Sequence, residues 1–355
     1  MNLDNIGEIR FNGINIGTIK FNGNVLFNIP NEEESGDTYL DFFVIKTNNN
    51  GRFAIFDCDA NLVGSVYGND WRGSVTSACG YGFFGGTDDA LHQFGYVNGE
   101  IQEINVNNSL KYALVGSPNP WDTTFYLYSE DSLHSIDINT LNIIHWTTQI
   151  VDGYLDPGTD LVYMAFNDHG GYVNWSGSQN IIHFRTDGGP LAGLNHTNYS
   201  SYDSYINRGL LATNDHVFTS GYSNRMLLKE YGYIVSPDAS TDNPETVGLH
   251  FEKIFNDHSG ESFYMDINDD FIIRNGKLFS REDFSYIKEA GGKNLRCSFF
   301  INNRRNKNGY DIFYGDQHDA YFYNSKTGEI TENIMDKFNL NVSWAMCYKI
   351  TLKVL

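Results

Sequence analysis

The sequence predicts an all-β protein: a seven-bladed β-propeller preceded by a small N-terminal β-meander. Aromatic residues make up 15% of the 355-residue chain, and 35 glycines are spread along it against 7 prolines, a mixture that favours strands joined by tight turns. No long stretch combines helix-forming composition with apolar residues at three- and four-residue spacing, so helix is expected to be minor. A loose hairpin recurs about every 44 residues, the interval that a four-stranded blade requires.

The front of the chain repeats itself. Residues 6–15 read IGEIRFNGIN and residues 16–25 read IGTIKFNGNV. Asn12-Gly13 and Asn22-Gly23 are each flanked by alternating apolar residues, the signature of a type I′ hairpin turn, because Asn and Gly tolerate positive φ. Three short strands are expected, from Glu8 to Phe11, Thr18 to Phe21 and Val25 to Asn28. Alternation puts Ile9 and Phe11, or Ile19 and Phe21, on one face and Arg10 or Lys20 on the other. So small a meander cannot bury enough surface to stand alone, so it either docks onto another chain or caps the adjacent domain. The polar, acidic stretch NIPNEEESGD that follows reads as a linker, which fits a docking module better than a cap. The boundaries are 1–28 for the meander, 29–37 for the linker and 38–355 for the propeller.

Seven copies of the hairpin follow, at residues 52–67, 91–104, 132–146, 180–194, 225–235, 277–289 and 320–333. Their turns centre near Asp59, Asn98, Asn139, Asp187, Gly232, Asp283 and Ser325. Another strand precedes each copy: Asp41 to Lys46, Tyr81 to Gly85, Thr124 to Ser129, Asp160 to Phe166, His216 to Thr219, Ser262 to Asp266 and Tyr310 to Tyr314. Tyr39 to Ile45 and Tyr348 to Val354 are the ends available to close the ring. A β-sandwich would not need the recurring unit, and parallel β-helices repeat more tightly.

A net charge of −20 repels phosphate backbones and anionic membrane surfaces, so nucleic acid and membrane insertion are not expected. Cys58, Cys79, Cys297 and Cys347 stand far apart without CxxC spacing, which argues for buried, reduced thiols over a zinc site or disulfide framework. The N-terminus lacks the basic and apolar regions of a signal peptide. Synthesis in the cytoplasm is expected, and action outside a cell would then need another route such as lysis.

No HExxH, GxSxG or Gly-rich phosphate loop is present, so no catalytic residue, metal or cofactor is assigned. Carboxylates gathered from separate blades leave a hydrolase open. The triplet Asn-Asp-His occurs three times, ending in Asp168-His169, Asp215-His216 and Asp257-His258. These residues are candidates for holding sugar hydroxyls at a common surface, although Asn-Asp pairs also form ordinary turns. Residues 57–61 and 266–270 are acidic enough to suggest calcium loops, but the first lacks the Gly and terminal Glu of one, so it is assigned to a hairpin turn. Trp71, Trp121 and Trp175 lie in polar segments containing Gly or Pro, where a flat ring could stack on a sugar.

The segment from Ile6 to Phe27 resembles short modules in tail and baseplate proteins of phages infecting low-GC Gram-positive bacteria, where I-x-x-I-(Y/F)-x-N-G-x-x-(V/I) recurs ahead of host-facing domains. A docking module, a linker and a large domain rich in Tyr, Asn and Gly is similar in layout to a tail fibre or receptor-binding protein. The resemblance implies attachment to a virion tail through Ile9, Phe11, Asn12, Gly13, Ile19, Phe21, Asn22 and Gly23. It also implies binding of a host surface glycan or wall polymer by the propeller, without catalysis. The expected partners are other tail or baseplate proteins and that polymer. Tail fibres are commonly trimeric, yet no coiled-coil heptad appears. A glycan-degrading tail enzyme and a structural baseplate spacer are the alternatives.

Overall fold

The computed structural model describes residues 10–11, 14–15, 18–21, 24–28, 39–47, 51–68, 75–86, 88, 90–111, 114–129, 132–146, 162–167, 170–175, 180–184, 186, 195–198, 210–213, 216–220, 226–230, 250–255, 265–268, 270–274, 276–290, 297–301, 307–316, 318–340 and 345–355. Among them are 31 strands and one four-residue helix, so the chain is all-β.

At the front, β1 (Arg10–Phe11) pairs with β2 (Ile14–Asn15), and β3 (Thr18–Phe21) with β4 (Asn24–Asn28). Phe11 faces Ile14 and Phe21 faces Asn24, so each pairing encloses one Asn-Gly dipeptide, as two-residue hairpins do. Four strands stand where three were expected, because Ile14–Asn15 folds back on Arg10–Phe11. Ile9, Asn12, Gly13, Asn22 and Gly23 lie outside the described residues.

The rest of the chain forms consecutive antiparallel sheets. The first contains β5 (Tyr39–Thr47), β6 (Arg52–Phe56) and β7 (Leu62–Tyr67). The second runs through β8 (Thr76–Ala78), β9 (Tyr81–Gly85), β10 (Ala90–Val97) and β11 (Glu100–Lys111). The third is β12 (Leu114–Gly116), β13 (Thr124–Ser129), β14 (Ser132–Asp137) and β15 (Ile143–Trp146). The fourth is β16 (Val162–Asn167), β17 (Gly170–Trp175), β18 (Asn180–Phe184) and β19 (Asn195–Asn198). The fifth is β20 (Leu210–Ala212), β21 (His216–Ser220), β22 (Met226–Glu230) and β23 (His250–Phe255). The sixth is β24 (Met265–Ile267), β25 (Phe271–Arg274), β26 (Lys277–Ser280) and β27 (Tyr286–Glu289). The last holds β28 (Cys297–Phe300), β29 (Ile312–Gly315) and β30 (Ala320–Tyr323). After the helix α1 (Ile334–Lys337), the chain ends in β31 (Ala345–Lys353).

Opening strands of successive sheets are neighbours: β8 lies beside β12, β12 beside β16, β16 beside β20 and β24 beside β28. β31 lies beside both β28 and β8, and it pairs with β5 from Ala345 opposite Thr47 to Lys353 opposite Tyr39. The two chain ends therefore close the structure with the pairing expected, and the terminal strand takes the innermost place. Beyond it, the Leu355 N–H donates to the Tyr96 carbonyl of the second sheet. Meandering sheets whose first strands surround one axis make a β-propeller.

Inner strands such as β5, β6, β28 and β29 are buried on both faces and carry near-continuous apolar runs, whereas the outer strands β11 and β27 are largely exposed. In β5, Phe43 and Ile45 pack with Phe56, Phe313 and Phe322 toward the last sheet, while Phe42 and Val44 pack with Ile55, Phe84 and Phe94 toward the second. Odd and even residues thus serve different wedges of core. The helix adds Ile334 and Met335 to the first wedge, and its start is capped by Asn333 Oδ1, which accepts from the Met335 N–H. All four cysteines are buried and unpaired by disulfides.

The hairpins at residues 52–67, 91–104, 132–146 and 277–289 form as expected. Two others differ. β18 pairs with Asn195–Asn198 and β22 with His250–Phe255, beyond the apolar runs expected at residues 190–194 and 233–235. Their connections are long, so a search keyed to a tight turn stops at the wrong run. The last hairpin, at 320–333, is reduced to one bridge between Tyr323 and Ile330. The strands expected at Asp160 to Phe166 and Ser262 to Asp266 are opening strands, and β17 and β25 intervene before the hairpins.

One turn geometry recurs where third strands end. The N–H of Asp137, Ser280 or Asn324 donates to the carbonyl five residues on, while the N–H four residues on donates back. The residue making that return bond has positive φ: Leu141 at 54°, Phe284 at 59° and Gly328 at 76°.

Candidate ligand-binding face

In a meandering four-stranded sheet, the first and third turns lie at one end, and the second turn and the exit to the next sheet at the other. The first end carries Trp121, in the connection between β12 and β13. Its side chain is 59% exposed, and its ring meets Tyr39 edge-on at 6.5 Å between centroids and 69° between planes. The segment holding it is pinned from several sides. Ser117 Oγ accepts from the Cys79 N–H at 2.8 Å and donates to the Asn119 carbonyl at 2.9 Å. Asp122 Oδ2 accepts from the Asn119 N–H at 3.0 Å.

Three successive sheets meet here. The Lys353 N–H of β31 donates to the Gly80 carbonyl at 2.7 Å. Gly80 has φ +76°, and a Cβ there would stand 2.8 Å from the Tyr39 ring and 3.1 Å from the Pro120 carbonyl oxygen. Only glycine accepts both the backbone conformation and the crowding. The result is a preorganised, half-exposed aromatic surface with Asp122 next to it in the chain, suited to stacking against a sugar ring.

The candidates that lie within strands divide between the two ends. His216 is the first residue of β21, at the Trp121 end of its sheet. Asn167 Nδ2 donates to the Thr213 carbonyl at 2.7 Å, tying the end of β16 to the residue that follows β20. Trp175 is the last residue of β17, at the opposite end from Trp121. Trp71, Asp168, His169, Asp215, Asp257 and His258 lie outside the described residues, and Trp175 and His216 are described by strand position alone.

The acidic loops are turns. Asp57 Oδ1 accepts from the N–H groups of Asp59 and Asn61, and Asp59 Oδ1 from those of Lys307 and Asn308 in the last sheet. Asn268 Oδ1 likewise accepts from the N–H groups of Asp270 and Phe271.

Sequence reasoning missed two charged clusters. Lys349 Nζ lies 2.8 Å from Asp266 Oδ2 and 3.6 Å from Asp41 Oδ2. Burial works against the ammonium, but Asp266 and then Asp41 outweigh it and hold its pKa above the ordinary lysine range. Asp41 also accepts from Thr351 Oγ1, and Asp266 from the Phe300 N–H. This is a clasp between the first and sixth sheets. In the second sheet, His92 Nδ1 lies 2.7 Å from Glu103 and Nε2 2.9 Å from Asp88, with Phe84 stacked on the ring. Burial opposes the proton there too, yet Asp88 and Glu103 raise the imidazole pKa.

No family model matches the sequence, and no curated protein matches it. Solved structures with a similar fold include apo AztD from Citrobacter koseri, at TM-score 0.50 and 8% identity over 89% of this chain and 98% of that one. The dihydro-heme d1 dehydrogenase NirN in complex with DHE is similar at TM-score 0.46 and 13% identity, over 82% of this chain and 63% of that one. The WD40 domain of Neurospora crassa Pan2 is similar at TM-score 0.47 and 10% identity, over 72% and 77%. At such identities the likeness is one of fold alone.

Proposed function

We propose that the chain is the receptor-binding component of a phage tail or phage-tail-like particle, and that its propeller has seven blades and binds a host surface glycan without cleaving it. Support for the blade count comes from six four-stranded sheets and one three-stranded sheet, beside the two front hairpins, among the described residues. The front repeat is the docking module, through Ile9, Phe11, Asn12, Gly13, Ile19, Phe21, Asn22 and Gly23. The protein is made in the host cytoplasm and released by lysis as part of the tail.

The observation that carries glycan binding is Trp121, exposed, edge-supported by Tyr39 and locked by its hydrogen-bonded turn. A rigid ring loses little freedom on contact, so its stacking energy goes into affinity. Asp168, His169, Asp215, His216, Asp257 and His258 supply hydroxyl-binding groups, and Trp71 and Trp175 are further stacking surfaces. The polypeptide enters the propeller at Tyr39, beside Trp121. Residues 29–37 therefore join docking module and ligand face across a reach of about 30 Å.

The test is co-sedimentation of the full chain with cell walls from a panel of low-GC Gram-positive bacteria, with Trp121→Ala beside the wild type. Binding that falls at least about tenfold in the variant supports the reading. Release of soluble wall fragments would move the protein to the enzymes, and absence of binding to every wall would make it a spacer.

A further inference from the structure

We propose that the polymer bound at the Trp121 face is a polysaccharide free of phosphate and carboxylate groups; this rests on the glycan-binding reading above. The argument is one of charge at the site. At the Trp121 end of the first three sheets, the described turns and their flanking residues carry Asp57, Asp59, Glu100, Asp122 and Asp137, against Lys353 and, beside Asp59, Lys307 of the last sheet. Hydrogen bonds do not cancel these charges. Backbone and hydroxyl donors of Thr140 hold Asp137 below the usual carboxylate range. Asp122 is the immediate chain neighbour of Trp121, and its Oδ2 already accepts from Asn119.

The whole chain carries −20, so no distant positive surplus offsets the local field. Screening at physiological salt acts over about 8 Å, which leaves the nearest carboxylates effective against a ligand seated on the indole. A polymer bearing a negative charge on every repeat would meet like charge along the whole contact. Uncharged sugar hydroxyls, by contrast, donate to carboxylates, and a pyranose ring needs no charge to lie on an aromatic face. The same acidic face that excludes polyphosphates is therefore compatible with neutral and amino sugars.

The experiment uses the full chain, a wall that binds it, and the same wall stripped of phosphodiester-linked polymers by hydrofluoric acid. Purified poly(glycerol phosphate) serves as competitor, and Trp121→Ala runs in parallel. Retention on stripped wall within about twofold of intact wall, without competition by the polyphosphate, is the expected result. A loss of about tenfold or more on stripping overturns the proposal, while the glycan-binding face stands if intact wall still binds in a Trp121-dependent way. Failure to bind either wall, or equal binding by wild type and Trp121→Ala, sinks both.

Discussion

The ring of Phe94 lies across Gly82, its directly paired partner on the neighbouring strand, so closely that a Cβ at Gly82 would come within 2.1 Å of the ring. Phe184 covers Gly171 in the fourth sheet in the same way, at 2.0 Å. Glycine in a strand ordinarily weakens it, and a cross-strand aromatic restores the lost packing. Gly82→Ala should therefore destabilise the protein by about 1–3 kcal/mol through overpacking. Adding Phe94→Leu should return part of that loss, read as the midpoint of urea unfolding. An unchanged midpoint in the single variant would show that the ring does not occupy that space.

Lys349 gives a second prediction. Lys349→Met keeps volume but strands Asp41 and Asp266 without their cation, and breaking a buried pair in this way costs about 3–5 kcal/mol. The folded-state pKa of Lys349 is raised, so its contribution is complete below the ordinary lysine pKa and disappears as pH climbs through the folded value. Wild type should lose stability at strongly alkaline pH more steeply than the variant. Parallel alkaline unfolding curves for the two proteins would contradict the clasp.

The His92 clamp titrates nearer neutrality. Its raised pKa means that the stabilisation is fully present below the ordinary histidine value of about 6.5 and fades as pH rises past the folded value. Asp88 is held below the usual carboxylate range chiefly by its bond to His92, so the clamp also weakens as pH falls through that range. The difference in thermal midpoint between wild type and His92→Gln should be largest in mildly acid solution and shrink on either side. A difference independent of pH would assign His92 to packing alone.

Much of the architecture was legible because blade hairpins with short turns announce themselves locally. Asp57, Asn98, Asp137 and Ser280 each open a turn within a few residues of the strands it joins, and alternation identifies those strands. Where the third and fourth strands are far apart in the chain, as with β22 and β23, the local signal names the wrong partner. The candidate site divides similarly. Trp121 stood out by its Pro- and Asp-flanked setting, whereas Asp41, Asp266 and Lys349 are brought together only by ring closure and leave no spacing to read.

The innermost strand of the first sheet is synthesised long after the strand it pairs with. Until Ala345–Lys353 leaves the ribosome, Tyr39–Thr47 presents an open hydrogen-bonding edge flanked by Phe42, Phe43, Val44 and Ile45, the kind of edge that recruits foreign strands. Loss of Ala345–Lys353, or a nick just before it, leaves a seam that never shuts. Such molecules are headed for aggregation.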